Sequence, residues 1–286
     1  MRLGASTFIW TSPFGDDKLD LFDRVAGLGF DVLEVCIEDP SRVTGAAVAR
    51  AAADAGVAVL VCGAFGPGRD VSNEDKAVRE QAIGYLRTCV DIAADVGSPL
   101  VSGPMYATTG VTRMLSDDER RQQWDRAVDS LRTAAAYAAE RGVGFAIEPL
   151  NRFETDLVNT TDQGVRLCRD IGADNVGLLL DTFHMNIEEK DIGVAIREAG
   201  PYVRHFHTCE NDRGAPGTGH VEWTDVFAAL DAIGYEGDAV IESFTPDNTE
   251  IARAVSLWRP LAPDGDTLAS EGLAFLRAAL RSGVRA

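Results

Sequence analysis

Thr161-Asp-Gln-Gly-Val-Arg-Leu-Cys-Arg-Asp-Ile171-Gly-Ala-Asp-Asn-Val176-Gly-Leu-Leu-Leu-Asp181 decides the fold. Its first half, Thr161–Ile171, has helical periodicity. Gly172 then marks where a helix stops, and Val176–Asp181 is a strand-sized apolar run that ends on an acid. The same unit recurs in both directions along the chain. Strand-like runs are read at Leu3–Ser6, Val32–Val35, Val57–Cys62, Leu100–Ser102, Gly144–Glu148, Val176–Asp181, Val203–His207 and Ala239–Glu242. Helical segments such as Asp117–Arg141 separate them, and Gly29, Gly56, Gly142, Gly172 and Gly234 stand where helices give way to strands. The strands lack polar alternation, as expected when both faces of a parallel sheet are buried. Eight βα units predict an α/β fold, a single (β/α)₈ TIM barrel over residues 1–286 with its active site at the C-terminal strand ends. An open doubly wound sheet is the competitor, but its Gly-rich first turn is missing, Gly4 standing alone there.

Composition narrows the function. The 286 residues carry 27 basic and 45 acidic side chains, a net charge of −18. A nucleic-acid binder needs a basic face to neutralise phosphates, which this charge opposes. The longest apolar runs, such as Val57–Cys62, fall far short of the roughly 20 residues of a membrane span. The N-terminal stretch has no apolar run of signal-peptide length, and Cys36, Cys62, Cys89, Cys168 and Cys209 have no CxxC or CxxH spacing. A disulfide framework or zinc ribbon is therefore not expected, and a cytoplasmic location is.

Four strands end on ligand-type residues: Gly144-Phe-Ala-Ile-Glu148, Val176-Gly-Leu-Leu-Leu-Asp181, Val203-Arg-His-Phe-His207 and Ala239-Val-Ile-Glu242. Glu148, Asp181, His207 and Glu242 are 33, 26 and 35 residues apart, about one βα unit each. A barrel turns that spacing into spatial proximity. Three carboxylates crowded together repel one another until some take up protons, and a divalent cation removes the conflict. Three oxygen donors and one imidazole suit Mn²⁺ first, with Co²⁺ or Mg²⁺ as alternatives. Any one such acid alone could be a helix N-cap or a solvated loop residue; four in register are hard to obtain that way.

The chain resembles the D-tagatose/D-allulose (ketose) 3-epimerase family of the sugar isomerase/epimerase barrel superfamily. The resemblance is carried by Ile147-Glu-Pro-Leu-Asn-Arg-Phe-Glu154-Thr, Leu180-Asp-Thr-Phe-His-Met-Asn-Ile-Glu-Glu189, His207-Thr-Cys-Glu-Asn-Asp-Arg213-Gly, Gly217-Thr-Gly219, Ile241-Glu-Ser-Phe244 and Leu257-Trp-Arg-Pro-Leu261. It implies that Glu148, Asp181, His207 and Glu242 hold the metal, and that Glu148 and Glu242 are also the two acid/base groups. It implies that Glu154, His184 and Arg213 hold sugar hydroxyls and the C2 oxygen. It further implies a homodimer or homotetramer.

Each of these residues has a plain structural alternative: a loop charge for Glu154, a helix-start histidine for His184, an ion pair with surface acids for Arg213. The sequence departs from the family at Ser6, where an aromatic residue or His is common, and in Gly103-Pro-Met-Tyr106-Ala-Thr-Thr109, which lacks a covering tryptophan. Ser6 is taken as a substrate-binding position, and Phe8 and Trp10 as candidates for apolar cover. Glu34 reads equally as a pocket or a surface residue. His205, alternating with His207, is expected to turn away from the pocket.

The implied reaction is 3-epimerisation of a free ketose of the D-allulose/D-fructose, D-tagatose or L-ribulose type. The C3 proton lies beside a carbonyl, so its loss gives an enediolate whose charge a metal chelated at O2 and O3 stabilises. The cation is expected to keep both glutamates ionised in the resting site. An aldose–ketose isomerase could use the same groups with a shifted substrate, and a non-catalytic sugar-binding barrel is a third reading. A metal-cluster AP endonuclease needs more than the four histidines present and a basic face. The loop Arg213-Gly-Ala-Pro-Gly-Thr-Gly219 could pass for a phosphate cradle, but Pro216 removes one amide donor and no lysine or arginine follows in Ser243–Glu250. The expectation is an unphosphorylated sugar.

Overall fold

A strand whose two faces are both apolar needs a partner layer on each side, and a barrel ringed by helices supplies both. The computed structural model describes residues 1–281; residues 282–286 of the chain lie outside the described residues. Strands β1 (Leu3–Ser6), β2 (Val32–Ile37), β3 (Ala58–Gly63), β4 (Leu100–Gly103), β5 (Gly144–Ile147), β6 (Val176–Asp181), β7 (Val203–His207) and β8 (Ala239–Ile241) form one closed, all-parallel barrel, with β8 pairing back onto β1. The helices are α1 (Asp20–Leu28), α2 (Gly45–Ala55), α3 (Lys76–Val96), α4 (Asp117–Ala139), α5 (Thr161–Ile171), α6 (Thr182–Glu188), α7 (Ile192–Ala199), α8 (Trp223–Ala232), α9 (Thr249–Ala254) and α10 (Gly265–Arg281). The expected (β/α)₈ barrel is what the chain forms.

Local chemistry sets the element ends. Ser116 and Thr160 open α4 and α5 with reciprocal capping boxes to Glu119 and Gln163, satisfying amides that no helical carbonyl can reach. Gly172 closes α5 in the left-handed conformation (φ 69°), so the chain turns at once into β6. Strand β2 runs two residues further than its apolar run suggests and β3 lies one residue later, because they pair residue for residue from Val32↔Ala58 to Ile37↔Gly63. Glu148 and Glu242 stand one residue past β5 and β8, with the Glu148 N–H still donating to the Gly103 carbonyl of β4 at 3.1 Å.

The apolar core lies mainly between the barrel and its helices. Inside the barrel the floor is a small layer of Val32, Leu60 and Val240. Gly4 belongs to this layer: a Cβ there would stand 2.9 Å from Val32 Cβ. Above the floor the interior turns polar, which a barrel tolerates only if its groups pair with one another.

One irregularity sets how β6 and β7 align. Between β6 and β7 the register shifts, with Leu178 opposite Val203 and Leu179 opposite His205, so Arg204 is the extra residue. Gly177 makes room for it: a Cβ at 177 would lie 2.2 Å from Arg204 Cγ and 2.5 Å from the Tyr202 carbonyl oxygen. The shift leaves Asp181 directly opposite His207. Gly177→Ala is expected to destabilise the protein by about 1–3 kcal/mol, because a backbone oxygen cannot move aside as a flexible side chain can. Urea unfolding of the two proteins measures it, and equal midpoints would mean that the bulge does not need a glycine at 177.

Candidate active site

The strand ends open into a cavity of about 530 Å³ whose wall includes Glu148, Glu154, His184, Arg213 and Glu242. At its base, Glu148, Asp181, His207 and Glu242 each bring one ligand-type atom within 4.8 Å of the others, all four buried. His207 Nδ1 lies 3.7 Å from Asp181 Oδ2 and 3.8 Å from Glu242 Oε2. His207 Nδ1 and Glu148 Oε1 are both buried and make no hydrogen bond. Burying polar atoms without partners is costly, so two in one four-residue cluster indicate a missing partner that both can share. Donors about 2.1 Å from a common ion stand up to about 4.2 Å apart, and these separations fit. The donor set thus suits one divalent cation.

Arg213 counters part of the negative charge. Its Nη1 donates to Glu242 Oε2 at 2.7 Å and lies 3.6 Å from Asp181 Oδ2. The guanidinium sits between two rings, 4.2 Å from the centroid of Phe183 and 4.9 Å from that of Phe244. Its backbone is left-handed (φ 64°), a conformation that costs a non-glycine residue about 1–3 kcal/mol and persists only where the surroundings hold it. The holding contacts are Ser243 Oγ to its carbonyl (2.6 Å) and its own N–H to the Glu210 carbonyl (2.9 Å).

His184 accepts from the Asn151 backbone N–H at Nδ1 (3.0 Å), so its proton sits on Nε2. That N–H stands 3.7 Å from Glu148 Oε1 and 3.1 Å from Arg213 Nη2, another donor. The two N–H groups stand side by side on the cavity wall, where both can donate to one oxygen. Burial, with Arg213 beside it, lowers the His184 pKa to about 4, so the ring stays neutral. Glu154 is tethered by Asn151 Nδ2 at 2.8 Å.

Without a cation the carboxylates behave as crowding demands. Burial pushes the Glu148 carboxyl well above its usual range, and Glu242 nearby adds to the rise. Glu242 is raised too, by burial against the pull of His207 and Arg213. Burial works against Asp181 as well, but His207, His184 and Arg213 together hold it below the ordinary carboxylate range.

The remaining expectations divide. Phe8 lines the cavity and packs against Phe244, ring centroids 5.2 Å apart. Trp10 turns elsewhere, its Nε1 donating to Asp266 at 2.7 Å. Ser6 is fully buried and outside the cavity lining: its Oγ accepts from the Phe8 N–H at 3.3 Å and touches Cys36 Sγ at 3.3 Å. In the β4 loop, Tyr106 is buried and ties that loop down, donating to the Val158 carbonyl at 2.9 Å. His205 does not turn away. Residues two apart on a strand share a face, so it lies inside the barrel beside His207, ring centroids 5.0 Å apart. Glu34 is buried, accepting from both histidines. An acid at the centre of the apolar Val32-Leu-Glu-Val-Cys-Ile37 run is the signal for it.

The loop that could pass for a phosphate cradle is already filled. The carboxylate of Glu210 accepts from the backbone N–H groups of Gly217 (2.8 Å) and Val221 (2.9 Å) and from Trp223 Nε1 (2.9 Å). A side chain of the chain itself takes the amides that an anion would need.

A barrel with a buried four-residue carboxylate–histidine cluster at its strand ends suits the class of metal-assisted sugar isomerases, and comparison with known proteins agrees. The model of the xylose isomerase-like TIM barrel family matches residues 22–279. An L-ribulose 3-epimerase of Mesorhizobium japonicum is 34% identical over 99% of this chain and 96% of its own. A D-psicose 3-epimerase of Agrobacterium fabrum is 34% identical over 94% of each chain. Among solved structures, an L-ribulose 3-epimerase superposes with a TM-score of 0.92 at 34% identity, covering 98% of this chain and 95% of the other. A D-psicose 3-epimerase of Clostridium cellulolyticum, with D-tagatose, gives a TM-score of 0.89 at 30% identity, covering 98% and 99%. The chain belongs to the xylose isomerase-like TIM barrel family and, within it, to the ketose 3-epimerases. No described helix is long and apolar enough to cross a membrane.

The raised Glu148 carboxyl has a consequence for stability in the metal-free protein. Its folded pKa lies above its unfolded one, so between the two the native state binds more protons, and this contribution to stability is lost as pH rises. Glu148→Gln cannot ionise. With both proteins stripped of metal by EDTA, the variant is expected to gain stability relative to wild type as pH rises from about 5 to 8. Urea unfolding across that range measures the difference; a constant gap would show that Glu148 is not crowded.

Proposed function

We propose that this protein is a divalent-metal-dependent ketose 3-epimerase acting on a free ketose of the L-ribulose, D-allulose/D-fructose or D-tagatose type. The carrying observation is the pair of unpartnered buried atoms, Glu148 Oε1 and His207 Nδ1, in a four-residue cluster that opens onto the cavity. Glu148, Asp181, His207 and Glu242 would hold the cation, Mn²⁺ by donor type, with Co²⁺ or Mg²⁺ as alternatives. When bound, it supplies Lewis acidity toward the sugar oxygens and neutralises the crowded carboxylates.

The residues supply the rest. Glu148 and Glu242 come from β5 and β8, on different sides of the barrel mouth, as attack on both faces of C3 requires. One takes the C3 proton and the other delivers a proton to the opposite face. Contrary to the expectation from sequence, the two glutamates cannot then both be ionised throughout: the pair has to enter the step sharing one proton, and it leaves with that proton on the other partner. Arg213 Nη1 orients Glu242. The converging donors of His184 and Arg213 fit a sugar oxygen, and Glu154 fits a hydroxyl donor. Ser6, placed below the cavity, enters the proposal only through its hold on Phe8.

A sugar phosphate fits poorly. The cavity wall holds two arginines among the described residues. Arg213 is engaged by Glu242. Arg69 donates to the carbonyls of Ala64 and Glu38 and lies over the Tyr85 ring. The Glu210-filled loop offers no further anchor.

Deuterium uptake from D₂O, followed by NMR with Mn²⁺-loaded protein, tests the reaction. Label is expected at C3 of L-ribulose, D-allulose, D-fructose or D-tagatose, ahead of D-fructose 6-phosphate and D-ribulose 5-phosphate. Glu148→Gln and Glu242→Gln, with metal occupancy confirmed, are expected to lose about 10²–10⁴-fold in rate. Label confined to C1 or C2 would make the protein an aldose–ketose isomerase, and preferred turnover of the phosphates would overturn the substrate class.

A dimer or tetramer belongs to the same reading, supported by Trp258, which stands 74% exposed in the Leu257–Leu261 segment. So does a cytoplasmic location, supported by five cysteines that are all free and buried. Sedimentation is expected to give a multiple of the 30.6 kDa chain mass; a single-chain mass at all micromolar concentrations would contradict the assembly.

A further inference from the structure

One buried group beneath the cavity has no part in the reaction as proposed. Glu34, in the interior of β2, is fully buried. Its Oε1 accepts from His207 Nε2 at 2.9 Å, and its Oε2 accepts from His205 Nε2 at 2.7 Å and from Ser102 Oγ at 3.2 Å. A buried carboxylate is tolerated only when its oxygens are filled this way. Glu34, His205 and His207 also stand close enough to suggest a second cation site. Their facing atoms are already paired by hydrogen bonds of 2.7 and 2.9 Å, so no donor atom between them is left without a partner to call for an ion.

The arrangement does something else. A neutral imidazole carries one N–H and one lone pair, and the hydrogen bond at one nitrogen decides which nitrogen keeps the lone pair. On His207, Glu34 takes the N–H at Nε2, so in the neutral ring that a cation requires the lone pair is left to Nδ1, the buried atom facing Asp181 and Glu242. We propose that Glu34 is the positioning residue of the site, fixing the tautomer and ring angle of His207 so that Nδ1 is presented to the cation, with His205 and Ser102 bracing its second oxygen. The inference rests on the four-residue metal site of the proposed function. Glu34 touches neither sugar nor ion; it acts through His207. Gln at this position has the same shape but offers one acceptor and one donor. Its amide N–H must then face either His205 or His207, and facing His207 would move that ring's proton to Nδ1.

Two measurements on the full chain test this. In ¹⁵N-histidine NMR of the Mg²⁺-loaded wild type, His207 is expected as the Nε2–H form; with four histidines in the chain, single replacements assign the signals. In Mn²⁺ titrations read by the EPR signal of the free ion, Glu34→Gln is expected to bind about 10–100-fold more weakly. Glu34→Asp, which keeps the charge, is expected to recover part of the loss. A folded Glu34→Gln protein with unchanged Mn²⁺ affinity and unchanged His207 signals would overturn the role of Glu34 alone. A wild type that binds neither ion would remove the metal site and this inference with it. Should Glu34→Gln fail to fold, the wild-type spectrum decides: an Nδ1–H His207 in the loaded protein overturns the proposal.

Discussion

Crowded negative charge at the barrel mouth is the constraint on which the rest depends. Glu148, Asp181 and Glu242 converge with His207 in a buried space, and mutual repulsion with desolvation makes that arrangement untenable unless positive charge answers it. Arg213 answers part, through Glu242 and Asp181. What remains uncompensated is concentrated on unpartnered atoms, which is the condition for a cation to bind with strength. The strained backbone of Arg213 is intelligible on the same ground: the guanidinium has to reach inward between two rings, and the loop gives up a relaxed conformation to place it.

The polar interior is layered by chemistry. Val32, Leu60 and Val240 seal the barrel below. Above them Glu34 gathers Ser102, His205 and His207. Above that stands the ligand cluster, and then the cavity. In the ligand cluster, unmet hydrogen-bonding capacity falls on Glu148 Oε1 and His207 Nδ1, below the cavity where a substrate can arrive. The same rule governs the β7 loop, where Glu210 fills amides that would otherwise attract an anion.

Several site residues are legible in the sequence because their signals are local. An apolar strand-sized run ending on an acid or histidine, repeated at βα spacing, marks Glu148, Asp181, His207 and Glu242 whatever surrounds them. Strand alternation, properly applied, also places His205 inside the barrel, since it lies two residues from His207. Glu34 is harder: a single acid within an apolar run states that it is buried or misplaced, not which partners offset its charge. Ser6 and Trp10 show the opposite failure. Both sit near the end of a strand, yet one is held against Cys36 and the other turns away to Asp266.

Sequence alone therefore determined the eight βα units, the barrel, and the convergence of four ligand-type residues, because period, capping and spacing are properties of neighbours along the chain. Tertiary structure alone decided which hydrogen bonds those residues make. The Arg204 bulge that sets Asp181 opposite His207, the carboxylate that fixes the His207 tautomer, and the amides closed off by Glu210 all join positions far apart in sequence. Contacts of that kind depend on distances of tenths of an ångström between elements, and no local pattern of residues encodes them.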